Sequence, residues 1–477
     1  MKANNFPSKG WEHKKVIKYL KDLKSNDVDW LKGRSFGAVY YPGDEYAKTI
    51  ESAYQLYIHE NALDPQLFKS AVELEKDIVR KVSTLFSADK TISGTLTSGG
   101  TESIFLAVYS AKMHAKKEGK SNFEIIIPES AHPAFVKACN YLNVSAIEVE
   151  LNSDFILDVN DVERKINSDT ILLVGSSPAY PYGLMDPIEE LSKLALKHDL
   201  LLHVDACIGG FMLPFLKKLG NTIPIFDFSL DGVTSMSVDI HKYGYAPKGS
   251  SLILYRNRSL RKNQFTVSST WKGGVYASTG FLGTKPGGAL AAAWAAIHTI
   301  GENGYLSLAE KTFSARETIF KGVNDNNELE VIGSPVMSLL AIKSSGNVDV
   351  YEIADELNKR GWYVGRLQNP PALHLVISQI HGDSNTVNEF INDLNHSVEY
   401  VSSFHISRIV RKTGEKVGVK LLNLLPFNWM RKTIMKSSKS SVNDKVKRTK
   451  MIYDLKADLN PESSNELFSS IIDELYS

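Results

Sequence analysis

A lysine in an unusual setting is the first chemical feature of the sequence. Lys242 lies in the stretch SVDIHKYGYAPKG, residues 237–249, which also contains His241 and a second lysine, Lys248. A lysine amine that loses its proton attacks a carbonyl carbon and forms a Schiff base, and a neighbouring histidine can donate a hydrogen bond to an anion. Most lysines are solvated surface residues, but aromatic residues and glycines flank these two. The motif therefore favours a covalent role for one lysine.

A glycine-rich turn is the second feature. TSGGTES, residues 97–103, follows a strand-like run and begins an apolar helix. Gly99 and Gly100 let the backbone approach a ligand, the helix start presents free N–H groups, and Thr101 adds a hydroxyl. The turn is neither GxGxxG nor a P-loop, so it predicts a phosphate site without favouring a nucleotide. Taken alone, such a turn is more often structural.

A buried aspartate is the third feature, because Asp205 ends the apolar run LLLHVD. In an open α/β sheet, ligands bind at the carboxyl ends of the strands, and a buried carboxylate there needs a partner. A helix cap and a protonated ring nitrogen are both open as that partner. Together with Lys242 and the glycine turn, Asp205 meets the needs of pyridoxal phosphate, which requires an amine, phosphate donors and a carboxylate. His132, in SAHPAF, would stack on the ring.

Length and composition limit the class of protein. The 477 residues are 43% hydrophobic, which predicts a soluble protein of more than one domain, and the net charge of +1 indicates no nucleic-acid partner. The two cysteines, Cys139 and Cys207, form no CxxC pair, so we expect a reducing compartment and no metal site. The hydropathy pattern shows neither a signal peptide nor an apolar run long enough to span a membrane, and this predicts a cytoplasmic protein.

The order of apolar patterns predicts five segments. Residues 1–70 resemble an arm or lid. In residues 71–315, strand-like runs alternate with amphipathic helices, which predicts a large α/β domain with a mostly parallel sheet. Residues 316–404 are typical of a small α+β domain. Residues 405–450 are strongly basic, and residues 451–477 form a helical tail.

The basic segment 405–450 needs its own explanation. It holds thirteen Lys and Arg residues against two acidic residues, and these surround LLNLLPFNWM, residues 421–430. Trp429 and Phe427 favour a membrane interface, but the run is too short to span a bilayer and Pro426 interrupts a helix. Either the segment contacts a membrane surface, or its leucines pack on the protein body with the lysines solvated.

Six motifs together resemble the sphingosine-1-phosphate lyase family: TSGGTES, SAHPAF, HVDACIGGF, SVDIHKYGYAPKGSS, GGVYAS and TKPGG. The resemblance runs from about residue 33 to residue 400. It implies an α/β protein of pyridoxal-phosphate fold type I, with a large mostly parallel-sheet domain and a small α+β C-terminal domain. HKYGYAPKG is the most specific motif, since group II amino-acid decarboxylases usually carry a tryptophan where this chain has Tyr243.

The resemblance implies a role for each candidate residue. Lys242 would form the Schiff base with the cofactor, Asp205 would pair with the ring nitrogen, and His132 would stack on the ring. Such enzymes are homodimers with shared active sites, and Tyr40 would reach the partner's site as a proton-transfer group. Lys248 would contact the phosphate of the substrate. The remaining residues would bind the cofactor phosphate (Gly99, Gly100, Thr101, Ser237, His241, and Thr284 from the second subunit) or the substrate (Asn61 and Asp64).

Two departures from the family concern the substrate site. The family usually reads Asn-Pro-Leu-His where this chain has Asn-Ala-Leu-Asp at residues 61–64. The family's histidine helps to bind the substrate phosphate, whereas Asp64 would repel a dianion at the same place. Lys285 replaces a usual arginine, which keeps the charge but loses the planar fork. Neither change affects the cofactor assignment.

The resemblance implies a lyase that cleaves a phosphorylated sphingoid base, a lipid-like amino alcohol, into a long-chain aldehyde and phosphoethanolamine. Tyr40 or the amine of Lys242 would remove the hydroxyl proton of the substrate. A group II amino-acid decarboxylase is the alternative, because the cofactor chemistry is nearly common to both and Asp64 would suit a basic substrate. A binding protein without activity is a third interpretation, which the presence of every expected cofactor contact weakens.

Overall fold

The computed structural model describes residues 6–87, 89, 91–403 and 461–476. Its helices are α1 (His13–Lys24), α2 (Asp44–Leu56), α3 (Lys69–Ser83), α4 (Gly100–Lys117), α5 (Ala134–Leu142), α6 (Val159–Lys165), α7 (Ile188–His198), α8 (Leu213–Lys218), α9 (Arg258–Lys262), α10 (Gly287–Asn324), α11 (Val350–Lys359), α12 (Ser384–Ser402) and α13 (Pro461–Tyr476). Short 3-10 helices cover Trp30–Lys32, Thr84–Phe86 and Gln379–Gly382.

The strands are β1 (Ser93–Thr97), β2 (Glu124–Pro128), β3 (Ser145–Val149), β4 (Thr170–Ser176), β5 (Leu201–Asp205), β6 (Val233–Asp239), β7 (Ser251–Tyr255), β8 (Thr266–Ser268), β9 (Tyr276–Ser278), β10 (Leu329–Val331), β11 (Leu339–Ser344), β12 (Gly365–Leu367) and β13 (Ala372–Val376).

A seven-stranded sheet organises the large domain, in the order β1-β7-β6-β5-β4-β2-β3. The strands from β3 to β6 pair in parallel, whereas β7 runs antiparallel to both β1 and β6. Because helices cover the faces of such a sheet, its central strands are buried along nearly their whole length, as the mainly apolar runs ILLVGS and LLHVD are. The expected mostly parallel sheet is confirmed.

Polar residues end several strands at one edge of this sheet. Asp205 ends β5, Asp239 ends β6 and Ser176 ends β4, and these strands run in the same direction. Thr97 ends β1 at the same edge, because β1 and β6 both run opposite to β7. Carboxyl ends of parallel strands are the usual place for a ligand site in this architecture, so the chemistry is expected here.

The small domain is built on a four-stranded antiparallel sheet, β10-β11-β13-β12. The apolar faces of α11 and α12 pack on it around a separate core. The long helix α10 contacts elements of both domains, and its backbone is kinked at Gly301, where φ is 59°. The helix crosses the boundary that the sequence pattern placed at residue 315.

The N-terminal segment is fastened to the small domain before it reaches the large one. Phe36 is buried in the core of the small domain and stacks on the ring of His381, with ring centroids 4.4 Å apart. Its main-chain N–H donates to the carbonyl of Tyr363 at 3.0 Å. This anchoring holds the following residues, Tyr40 included, over the carboxyl edge of the large sheet. In the part of the chain that the structure describes, no helix is long and apolar enough to cross a membrane.

Candidate active site

A cavity of about 480 Å³ opens at the carboxyl edge of the large sheet. It brings together most of the residues that the sequence predicted for the cofactor and the substrate. The predicted residues that line it are Tyr40, Gly99, Gly100, Thr101, His132, Asp205, His241, Lys242 and Lys248. Residues from the arm, three strand ends and the start of α4 therefore meet at one site, although up to 208 residues separate them along the chain.

Lys242 lies in the turn after β6, where its amine contacts a carboxylate. Its Nζ is 3.0 Å from Oδ2 of Asp239, whose side chain is almost completely buried. Burial opposes the charged form of the lysine, yet the pKa of Lys242 is held above its ordinary value because Asp239, then Cys207 and Asp205, surround the amine with negative potential. In the absence of a bond to a cofactor, Lys242 is therefore an ammonium.

Asp205 is oriented by a short hydrogen-bond chain at the end of β5. Its Oδ1 accepts from the N–H of Cys207 at 3.0 Å and from the hydroxyl of Ser237 at 2.9 Å. The Oγ of Ser237 also lies 3.2 Å from Nε2 of His203, a buried histidine whose pKa burial lowers to about 4. Both bonds to Asp205 fall on Oδ1, so Oδ2 remains as the acceptor for a group in the cavity.

Ser237 therefore differs from its expected role. The resemblance placed it at the cofactor phosphate, but the side chain is fully buried and points along the sheet to Asp205. The parallel register pairs Ser237 of β6 with Asp205 of β5, which places the two side chains next to each other on the same face of the sheet. Ser237 supports the carboxylate and does not line the site.

The glycine turn forms a close-fitting cradle at the start of α4. A Cβ atom on Gly100 would lie 2.7 Å from Sγ of Cys207 and 2.9 Å from Oδ1 of Asp239, so a side chain would fill this space. Glu102 stabilises the turn, because its Oε2 accepts from the N–H of Ser98 at 2.8 Å. The first N–H groups of an 18-residue helix thus face the cavity and suit an anion.

Lys248 and Tyr40 form the opposite side of the cavity. The amine of Lys248 lies 4.9 Å from the centre of the Tyr40 ring and donates to the carbonyl of His241 at 3.2 Å. Partial burial, and then the charge of Lys242, lower the pKa of Lys248 to about 8. Among the described residues, no carboxylate forms an ion pair with Lys248.

Tyr40 lies in the cavity of its own chain, which differs from the expectation that it reaches a partner's site. Its ring packs edge-on against the buried ring of Tyr243, with centroids 4.9 Å apart. Burial, followed by the neighbouring Tyr180 and Asp239, raises the pKa of Tyr40, so the phenol is neutral at physiological pH. Tyr40 therefore presents a hydroxyl, and not a phenolate, to the cavity.

Three predicted residues lie outside this cavity within one chain. Asn61 pairs its backbone with Pro286, and Thr284 is exposed on the same loop. Oδ1 of Asp64 accepts from two main-chain N–H groups of the turn that follows it, at 2.8 and 3.2 Å. Asp64 is therefore a turn residue that does not share the cavity of Lys248. The nearby Lys285 pairs with Glu75 at 2.9 Å.

Asp239 is the main site residue that the sequence interpretation missed. Cys207 and Tyr180 also line the cavity without having been expected there. The signal for Asp239 was present, because SVD ends β6 in the same way that HVD ends β5. Two aspartates at the carboxyl ends of neighbouring parallel strands must lie close together.

The donor set fits pyridoxal phosphate. The cavity supplies an amine at Lys242, a carboxylate at Asp205 and a helix start that a Cβ on Gly100 would obstruct. His132 lies exposed beside them and can cover a ring face. These groups match the aldehyde, the ring nitrogen and the phosphate of that cofactor.

Comparison with known proteins gives the same result. Residues 18–344 match the family described as pyridoxal-dependent decarboxylase conserved domain. A sphingosine-1-phosphate lyase of Oryza sativa subsp. japonica is 43% identical over 397 residues, which cover 81% of this chain and 73% of the relative. Sphingosine-1-phosphate lyase 1 of Rattus norvegicus is 37% identical over 400 residues, covering 84% and 70%.

A solved structure matches as well. The sphingosine-1-phosphate lyase of Burkholderia pseudomallei K96243 superposes with a TM-score of 0.81 at 34% identity, covering 88% of this chain and 96% of that one. The expected fold type I architecture and the expected cofactor, pyridoxal phosphate, are thereby confirmed. The chain belongs to the pyridoxal-dependent decarboxylase family and, within it, to the sphingosine-1-phosphate lyases.

Proposed function

We propose that this protein is a pyridoxal-phosphate-dependent lyase that cleaves a phosphorylated sphingoid base into a long-chain aldehyde and phosphoethanolamine. The observation that carries the proposal is a pair of lysines with different surroundings in one cavity. Lys242 has Asp239 as its counter-ion, whereas Lys248 contacts a main-chain carbonyl and the ring of Tyr40 and, among the described residues, pairs with no carboxylate. A lysine that has no carboxylate partner in the described part of the chain suits a second phosphate, which the proposed substrate carries and an ordinary amino acid lacks.

Each group of residues in the cavity has a separate role in this proposal. Pyridoxal phosphate, when bound, accepts the electrons of the bond that breaks next to the substrate amine. Lys242 supplies the amine that anchors the cofactor, Asp205 keeps a proton on the ring nitrogen, and His132 covers one ring face. The N–H groups at the start of α4, with Thr101 and His241, hold the cofactor phosphate. Tyr40 places its hydroxyl where the substrate hydroxyl enters.

Product identification tests the proposed function. Purified protein with added cofactor is incubated with sphingosine 1-phosphate and, separately, with a panel of amino acids. Release of a long-chain aldehyde and phosphoethanolamine supports the lyase. Release of carbon dioxide from an amino acid, without aldehyde, would establish the decarboxylase alternative. A protein that stays colourless when cofactor is added would point to a binding protein without activity.

The charge of Lys248 predicts a pH-dependent substrate affinity. A lysine is charged below its pKa, so attraction to the substrate phosphate is present below about pH 8 and declines as the pH rises through that value. We expect KM to increase above this pH in the native enzyme. Lys248→Gln should raise KM about 10- to 100-fold at pH 7, since a hydrogen bond between charged groups is lost.

Steady-state kinetics from pH 6.5 to 9.5, a range of about 3 units around the Lys248 pKa, checks this expectation. The exposed Lys217 at the end of α8 provides a matched control, because Lys217→Gln removes the same charge away from the cavity. An unchanged KM, or a pH step near 8 that survives in Lys248→Gln, would show that Lys248 does not bind the phosphate.

A homodimer with shared active sites is part of the proposal. Thr284 and Asn61 lie outside the cavity of their own chain, and the adjoining hairpin exposes Trp271, Val275 and Phe281 with more than half of each residue accessible. Apolar side chains of this size favour a protein interface. Light scattering should give twice the 53.0 kDa of one chain, and a monomer with full activity would refute shared sites.

The basic segment 405–450 lies outside the described residues. Contact of a cytoplasmic enzyme with an anionic membrane through this segment rests on its sequence alone, and a lipid substrate would make such contact useful. Co-sedimentation with vesicles that contain anionic lipid, using the full chain and a chain without residues 405–450, tests this part. Equal sedimentation of the two chains would favour leucines packed on the protein body instead.

A further inference from the structure

We propose that Asp239 is a positioning residue that receives the amine of Lys242 whenever that amine is not bonded to the cofactor, and keeps it as an ammonium. Free Lys242 is then a proton donor and not a base. The claim that free Lys242 donates a proton rests on the proposed function, because it assigns a direction to proton transfer during the reaction. The claim that Asp239 pairs with Lys242 concerns the cofactor-free protein and does not depend on the substrate.

The two oxygens of Asp239 have separate partners. Oδ1 accepts from the hydroxyl of Ser251 at 2.6 Å, and Oδ2 lies 3.0 Å from Nζ of Lys242. The antiparallel pairing of β6 and β7 places Ser251 directly opposite Asp239, so the carboxylate cannot turn away from the lysine without losing that hydrogen bond. Nε2 of His241 lies 3.6 Å from the same Oδ2 and is a weaker partner.

The surroundings of Lys242 make Asp239 its main counter-charge. From β5, Asp205 and Cys207 add smaller contributions of the same sign. Among the described residues, the other titratable groups around the amine are His241, Tyr243 and Lys248 from its own turn, Tyr180 from the loop after β4, Glu102 from α4, and Tyr40 and His132 on the cavity wall.

The pKa directions of the two partners agree with an ion pair. Burial acts against both charges, yet the pKa of Asp239 lies below its ordinary value, with Lys242 as the main cause, and the pKa of Lys242 lies above its own. Both groups are therefore charged across the physiological pH range. A buried pair of this kind is oriented as well as charged, because each partner satisfies the other.

This pairing narrows the role of Lys242 in the reaction. An ammonium cannot take the hydroxyl proton of the substrate, so Lys242 does not serve as that base while it is paired with Asp239. The ammonium can instead give one proton to the substrate carbon that bears the amine, after the carbon–carbon bond has broken. The proton passes from nitrogen to carbon, and Lys242 is left as a neutral amine, the form in which it would displace the product amine and hold the cofactor again.

The first test measures Lys242 in the cofactor-free protein. Acetic anhydride labels only neutral amines, and mass spectrometry gives the labelled fraction of Lys242 and of the exposed Lys217 across a pH series. The midpoint for Lys242 should lie above that for Lys217. A midpoint for Lys242 at or below the reference would overturn the proposal, and this measurement needs neither a variant nor a substrate.

The second test removes the carboxylate. Asp239→Asn keeps the shape of the side chain, and the labelling midpoint of Lys242 should fall by about 1 to 3 pH units. Recombination with pyridoxal phosphate, followed by visible absorbance, needs a neutral amine and should reach its full rate at correspondingly lower pH. Ser251→Ala is the matched control, because it removes a hydrogen bond to Asp239 but retains the carboxylate charge. The labelling midpoint of Lys242 in this variant should therefore stay above that of the reference lysine.

The two tests distinguish a failure of the Asp239 role from a failure of the lyase assignment. An unchanged midpoint in a folded Asp239→Asn protein contradicts the role of Asp239, whatever substrate the enzyme uses. If Asp239→Asn does not fold, the titration of the native protein and of Ser251→Ala still decides. An alkaline midpoint combined with no aldehyde product would support Asp239 and refute the lyase assignment alone.

Discussion

Lys242→Ala should lower kcat by roughly 10⁴- to 10⁶-fold, as expected when a residue with a covalent role is lost. Of the two lysines that line the cavity in the described part of the chain, Lys242 has its amine positioned by a carboxylate, whereas Lys248 contacts the Tyr40 ring and a main-chain carbonyl. The visible absorbance of the lysine-linked cofactor should vanish. The phosphate cradle at Gly100 remains, so the variant should still take up cofactor in equilibrium dialysis.

A matched surface variant controls for this change. Lys193 is exposed on α7 and pairs with Glu189, so Lys193→Ala removes the same chemical group far from the cavity and should leave kcat unchanged. If Lys242→Ala retained more than about a tenth of native activity, the anchoring role would be refuted. If Lys248→Gln instead abolished the visible band, the two lysines would have to exchange roles.

Asp205→Asn should lower kcat by about 10²- to 10³-fold with little change in KM, comparable to the loss of one preorganised electrostatic group. Asparagine can still accept from the N–H of Cys207 and the hydroxyl of Ser237, so the geometry is kept while the charge is lost. Without that charge, the protein no longer holds a proton on the ring nitrogen of the cofactor. Absorbance spectra with kcat and KM measured together test this split.

Asp199→Asn is the control for the second prediction. Asp199 is exposed at the end of α7, two residues before β5, and its φ of 51° suits asparagine. Activity and thermal stability of this variant should match those of the native protein. A loss in Asp205→Asn that appears only in KM would indicate that Asp205 binds substrate and does not act on the cofactor.

The cofactor site could be predicted from the sequence because each of its main groups has a local signature. A glycine turn before an apolar helix, an aspartate after an apolar run and a lysine in HKYGYAPKG are all visible within about ten residues each. The alternation of strands and helices then predicted the parallel sheet whose carboxyl edge brings these groups together. The motif around Lys242 also distinguished the lyases from the decarboxylases, and the comparisons agree.

The direction of individual side chains could not be predicted in the same way. Ser237 was expected at the phosphate, but the register of β5 and β6 places it beside Asp205, to whose carboxylate it donates. Asp64 was expected at the substrate; within its own chain it accepts from the N–H groups of its turn and lies outside the cavity, so its substrate role stays a prediction. Tyr40 was expected in a partner's site, whereas the packing of Phe36 on the small domain holds it over its own.

The sequence by itself determined which chemistry this protein carries: an amine for a carbonyl, a carboxylate for a ring nitrogen and a helix start for a phosphate. Those choices depend on residue type and on short-range pattern. Only the tertiary structure decided that Lys242 meets Asp239 while Lys248 keeps no carboxylate among the described residues. The reason is physical, because the register between β6 and β7 and the packing of distant segments set side-chain directions, and both are long-range properties. SVDIHKYGYAPKG contains both lysines and Asp239, but in the folded chain the carboxylate of Asp239 pairs with Lys242 and not with Lys248.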